Sequence, residues 1–155
     1  MTEIAGTARL GRRTKDLVKR LRPGDLAIID HVDLDRVSAE ELAGSGVKAV
    51  VNVAPSTSGR FPNPGPHELV RAGVCLVDAL GSGLFDELSD GETVTVRGGS
   101  VWRDGTRLAE GVELEAKAEG DNFVLNGSKR FIRDADVSDY MTVVARTKQG
   151  KDAAD

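Results

Sequence analysis

Apolar positions along the chain fall into two regimes, and each predicts its own kind of element. Residues 25–30 (DLAIID), 47–53 (VKAVVNV) and 74–78 (VCLVD) are short apolar runs rich in β-branched residues, as in strands buried on both faces. Helical segments separate them. Residues 38–44 carry Ser38 three positions before Glu41, the spacing of a capping box, and a helix near residues 67–72 ends at Gly73. Strands alternating with helices predict a parallel sheet with right-handed crossovers. A short helix or turn over residues 85–91 then leads into residues 92–97 (ETVTVR), where β-branched and polar residues alternate. Gly98-Gly99 and Asp104-Gly105 are turn signals, so residues 100–102 and 106–108 are expected as further strands. Residues 112–118, 122–125, 129–132 and 140–145 continue this alternation, which predicts an antiparallel second half. Residues 148–155 are polar and are expected to fray.

The N-terminal pattern is different again. Leu10, Leu17, Val18 and Leu21 recur at offsets of 7, 1 and 3, which places most of them on one side of a helix expected over residues 12–21, and Pro23-Gly24 terminates it. Charge singles out the same segment. Residues 9–22 hold seven basic side chains beside one acid, a local charge of +6, whereas the 155-residue chain carries −4. The remainder therefore carries −10, and the expectation is a basic helical arm over residues 1–24 attached to an acidic body at 25–147. Its cations Arg12, Arg13, Lys15, Lys19 and Arg20 either form a recruiting surface for phosphates or fold back on the body.

Composition narrows the classes further. The hydrophobic fraction of 39% rises to that of an ordinary globular domain once the 18 glycines are added, so a core can form. One cysteine, Cys75, makes no internal disulfide and no thiolate zinc set, and this usage points to a reducing cytoplasmic setting. No apolar run is long enough for a membrane span. Aromatic residues are 4% of the chain and do not interleave with the basic segment, which argues against nucleic acid as a partner.

Residues 12–31 (RRTKDLVKRLRPGDLAIIDH), 33–36 (DLDR), 49–55 (AVVNVAP), 58–60 (SGR) and 93–99 (TVTVRGG) carry a resemblance that spans residues 11 to about 112. This region resembles the N-terminal part of SteA-type cytokinetic-ring proteins, which are related to thiamine pyrophosphokinases. The resemblance implies a role in septation and cell-wall regulation. More distantly, the stretch is similar to the swivelling β/β/α domain of phosphoenolpyruvate-utilising enzymes. That likeness implies a three-layer α/β fold, here with a C-terminal antiparallel β extension. The phosphohistidine position of those enzymes would fall near Asn63 or Pro64, so His67 is expected as an ordinary helix residue.

Residues 119–132 (EGDNFVLNGSKRFI) and 135–147 (ADVSDYMTVVART) resemble part of the middle β-domain of acyl-CoA dehydrogenases. In that family an aromatic-Ile-Thr/Ser-Asn stretch lies against the flavin. Phe131 and Ile132 fit, but Arg133 and Asp134 replace the hydroxyl residue and the Asn. Such a fragment is too small to enclose FAD, so no cofactor is expected; a remnant flavin or acyl-CoA site is the enzymatic alternative. Two resemblances meeting near Glu113 suggest a chimera, natural or engineered, in which the second segment covers sheet edges left beside the Thr93–Leu108 strands.

Two clusters are candidates for chemistry. Asp30, His31, Asp33 and Asp35 gather at the C-terminal end of a predicted strand, the edge where open α/β sheets bind ligands, and such oxygens suit Mg²⁺ or a phosphate-bearing ligand. Ser56, Ser58, Gly59 and Arg60 offer hydroxyls, a flexible backbone and a guanidinium after the next strand. Both clusters also suit ordinary turns and a surface loop. Cys75 lies inside an apolar strand, where burial suppresses reactivity. The expectation is a non-catalytic binding or scaffold domain with a protein partner, a phosphate-bearing small molecule at Asp30–Asp35 with Arg60, and self-association left open. Phosphohistidine transfer is the remaining alternative.

Overall fold

The computed structural model describes residues 3–60, 63–119 and 122–126. The elements in chain order are β1 (Glu3–Gly11), α1 (Thr14–Leu17) running into a 3-10 turn (Val18–Arg20), β2 (Leu26–Ile29), α2 (Arg36–Gly44), β3 (Ala49–Asn52), α3 (Gly65–Arg71), β4 (Cys75–Asp78) and α4 (Leu84–Glu87). They continue with β5 (Thr93–Arg97), β6 (Ser100–Arg103), β7 (Thr106–Glu110), β8 (Val112–Glu119) and β9 (Asn122–Asn126). The strand order is β7-β6-β5-β1-β2-β3-β4-β8-β9. β1 to β4 are mutually parallel, and β5 joins β1 antiparallel.

Why the apolar runs of β2, β3 and β4 are continuous is now plain. Along β2, Leu26 and Ile28 face one core while Ala27 and Ile29 face another, and the same division separates Val51 from Val50 and Val77 from Leu76. One core lies under the helices, with Leu17, Leu34, Leu42 and Leu69 fully covered. The other lies between the parallel strands and β5 to β7, which bring Val94, Val96, Val101 and Ala109 across that face. The molecule is therefore a three-layer α/β domain.

The sheet curls until the end of β7 reaches the start of β8. β7 ends at Glu110 and β8 begins at Val112, yet these strands lie far apart in the strand order, so Gly111 alone carries the chain across. No side chain fits there. A Cβ on Gly111 would sit 2.6 Å from the Asp78 carbonyl oxygen and 2.9 Å from Val77 Cγ1. Its N–H donates to the Gly99 carbonyl at 3.0 Å, which fastens the crossing.

Three expectations need correction. Residues 1–24 are not a helical arm: β1 is a sheet strand between β5 and β2, and only residues 14–20 are helical. The alternation of Ile4, Ala8 and Leu10 toward one core is weak because Gly6 interrupts it, and the neighbouring basic residues hid it further. Helix α2 starts at Arg36, with Asp35 rather than Ser38 as its N-cap: the Asp35 carboxylate accepts from the Ser38 N–H at 2.9 Å. Finally, β8 adds to β4, through pairs such as Leu76 with Leu114, and not beside the Thr93–Leu108 strands. The strands expected at residues 129–132 and 140–145, and the tail, lie outside the described residues.

Candidate functional site

The C-terminal ends of β1 to β4 deliver Arg12, Asp30, His31, Asn52 and Asp78 to one edge of the sheet. On the β3–β4 side this edge is closed by its own hydrogen bonds. Asn52 is fully buried, and its Oδ1 accepts from the N–H groups of His31 (3.0 Å) and Ala54 (3.1 Å). Its Nδ2 donates to the His31 carbonyl (2.8 Å) and to Ser56 Oγ (2.9 Å). Ser56 in turn donates from Oγ (2.6 Å) and N–H (3.1 Å) to the Asp78 carboxylate. Burial pushes the Asp78 carboxyl above the usual carboxylate range, against the opposing pull of those two Ser56 bonds.

The two sequence-predicted clusters do converge, and they spend their polar groups on each other. Asp33, at φ +53°, accepts from the Ser58 N–H (2.5 Å) and Oγ (2.7 Å). Asn63 adds a second tie, donating to the Leu34 and Ser56 carbonyls at 3.0 and 2.7 Å. Beneath this junction helix α3 starts at Gly65, where a Cβ would lie 2.0 Å from the Leu34 carbonyl oxygen. The backbone crossing demands glycine at this position. Gly59, at φ +81°, turns the chain beyond Ser58. Arg60 contributes only its N–H, to Ser58 Oγ at 3.3 Å, and its exposed guanidinium has no partner among the described residues.

The three carboxylates expected to share a cation diverge instead. Asp30 pairs with Arg12 at 2.7 Å, Asp33 holds Ser58, and Asp35 caps α2. Burial works against the Asp35 charge, but the Ser38 N–H, the Ser38 hydroxyl and nearby His31 outweigh it and hold the carboxyl below its ordinary range. No group of three His, Cys, Asp or Glu side chains is gathered for a metal ion among the described residues.

On the β1–β2 side the edge opens into a groove of about 560 Å³. Arg12, Arg13, Thr14, Lys15, Asp16 and Lys19 form one wall, and Asp30, His31, Val32 and Ser38 the other. The basic segment is here split into spent and unspent charge. Arg20 bonds Asp90 at 2.6 Å and also the Leu10 carbonyl, while Arg9 reaches both Asp25 and Asp90 at 3.3 Å. Although burial opposes its charge, Asp90 is held below the usual carboxylate range by Arg20, the Leu10 N–H and Arg9. Arg12 pairs with Asp30 and lies 4.3 Å over the Phe85 ring, and Lys19 meets Asp16 at 3.3 Å. Arg13 and Lys15, both exposed, have no partner among the described residues.

His31 stands in the groove wall with a polar neighbour at each ring nitrogen. Nδ1 lies 2.9 Å from Thr14 Oγ1, and Nε2 lies 3.4 Å from Asp35 Oδ2. His31 and the cations were expected from the sequence, whereas Thr14 and Asn52 were not. The one available signal for Asn52 was an amide closing an otherwise apolar strand. His67 lies on α3, as expected of a helix residue. Cys75 donates toward Glu113 at 3.5 Å, and burial, then Glu113, pushes its thiol up to about 12. The flavin-contact positions Phe131, Ile132, Arg133 and Asp134 lie outside the described residues.

No protein-family model matches the chain, and no curated protein matches it. Among solved structures, the 3-isopropylmalate dehydratase leuD from Methanocaldococcus jannaschii is similar at a TM-score of 0.46 and 12% identity, over 77% of this chain and 85% of that one. That likeness carries no statement about activity. No helix among the described residues is long and apolar enough to cross a membrane.

Proposed function

We infer that this chain is a binding domain without turnover of its own, and that it takes a phosphate-bearing ligand in the groove between α1 and the end of β2. The observation that supports this reading is the pair of exposed cations, Arg13 and Lys15, left without acidic partners in a concave wall whose other cations are neutralised. Unpaired cations that converge on a groove favour a multiply charged anion. The reading moves the ligand from Arg60 to the α1 side, because Asp33 and Ser58 close the loop that would have joined them. Septation and cell-wall regulation, implied by the SteA-type resemblance, is the setting we propose for this module, with a protein partner presenting or sharing the anion.

Titration with pyrophosphate, followed by amide chemical shifts, tests the site. Shifts should cluster at residues 12–16 and 30–32 and weaken steeply with added salt. Replacing both cations in Arg13→Gln/Lys15→Gln should weaken binding about a hundredfold, at roughly one decade per charge-assisted contact. Shifts centred on Ser58–Arg60 instead would refute the placement.

A further inference from the structure

The histidine in the groove wall, His31, has a polar neighbour at each ring nitrogen, and this arrangement determines more than its position. Asp35 faces Nε2 from the cap of α2, Thr14 faces Nδ1 from α1, and Asn52 clamps the His31 backbone from β3. The remaining charges along the wall are the Arg12–Asp30 and Lys19–Asp16 pairs and the unpaired Arg13 and Lys15. The Asp35 carboxylate, 3.4 Å from Nε2, favours the neutral tautomer with its proton on Nε2, and in that tautomer bare Nδ1 accepts the Thr14 hydroxyl proton. The threonine then presents only lone pairs elsewhere. A second proton on Nδ1 reverses that bond: Nδ1–H donates to Oγ1, and the hydroxyl hydrogen is released to turn toward the groove.

We propose that the groove binds a tetrahedral dianion of the phosphate type with uptake of one solvent proton by His31, which converts Thr14 from an occupied donor into a donor for the anion. This rests on the reading of the groove as the ligand site. A dianion bound in the groove that Arg13, Lys15 and His31 all line favours a positive charge on the ring. Asp35, 3.4 Å from Nε2, is the carboxylate that faces the ring's far side. Binding and protonation are thereby coupled in both directions. Free phosphate and a phosphate ester share this chemistry, and only the ester would add contacts outside the groove.

Sulfate is the suitable probe, because its charge stays constant through the range in which histidine titrates. Calorimetric titration of the full chain in two buffers of different ionisation enthalpy should show net proton uptake on binding. Affinity should rise about tenfold on acidification through that range, as one opposite charge at close distance predicts. In His31→Gln the uptake and the rise should both vanish. Thr14→Val, which keeps the side-chain shape, should lose most of the rise, and Thr14→Ser should retain it. Proton uptake that persists in His31→Gln, or an affinity flat with pH while Lys15→Gln still weakens binding, would overturn the coupling and leave the site standing. No sulfate binding at any pH, or binding indifferent to Arg13→Gln and Lys15→Gln, would overturn the site itself. Comparing inorganic phosphate with a phosphate monoester then separates the two ligand sources.

Discussion

Two stretches of the same sheet edge use similar residues to opposite ends. At the ends of β3 and β4, Asn52, Ser56 and Asp78 satisfy one another in a buried network, and Asp33 and Ser58 fasten the loops above it. At the ends of β1 and β2, Arg13 and Lys15 stay exposed and unpaired beside a half-buried His31. The difference lies in solvent access. Buried polar groups must find partners within the protein, since an unmade bond there costs about 1–3 kcal/mol, whereas exposed cations remain hydrated at little cost. Polar residues on the closed side therefore support the fold, and those on the open side remain available to a ligand.

This contrast is best broken from the closed side. Asn52→Ala would strand the His31 and Ala54 N–H groups and the His31 carbonyl, so we expect a loss of about 3 kcal/mol or more, read from urea unfolding. A loss under 1 kcal/mol, on that same scale, would mean that water replaces the amide freely. Gly65→Ala should cost about 2–3 kcal/mol, because its Cβ meets the Leu34 carbonyl and the α3 backbone must move.

Acid titration sharpens the comparison. Asp78 is raised by burial, so its contribution is complete below the ordinary carboxylate value of 3.8 and fades as pH rises through its folded value. Asp35 and Asp90 are lowered, so their contributions are present above 3.8 and fade as pH falls through their folded values. Asp90→Asn should flatten the acid limb of the stability curve, and Asp78→Asn should flatten the decline that begins just above it. The same slopes in both variants and the parent would refute these assignments. The smallest effect on stability belongs to the open side: Arg13→Gln and Lys15→Gln should each change it by less than about 0.5 kcal/mol while weakening anion binding. A stability change larger than that, read from urea unfolding, would show that these cations hold structure.

Much of the architecture was legible in the chain. The apolar runs of β2 to β4, the alternation of β5 to β7 and the Asp104-Gly105 turn, with φ of +49° and +78°, are local patterns that each encode one element. Asp35 was legible as polar but not as a cap, because capping depends on where the helix begins. Asp30, Asp33 and Asp35 read as a cluster because sequence neighbours look like spatial neighbours, yet the loop turns their carboxylates toward three separate partners.

What the sequence determined by itself was the set of faces: continuous apolar runs must be covered on both sides, and alternating ones on one. Only the tertiary structure decided that β1 lies inside the sheet, that Gly111 carries the chain from β7 across to β8, and which cations are left over. Arg20 meets Asp90 across seventy positions of chain, and nothing local in either residue encodes that pairing. Periodicity is written by the backbone's own repeat, whereas charge pairing depends on distances that exist only after the chain has closed on itself.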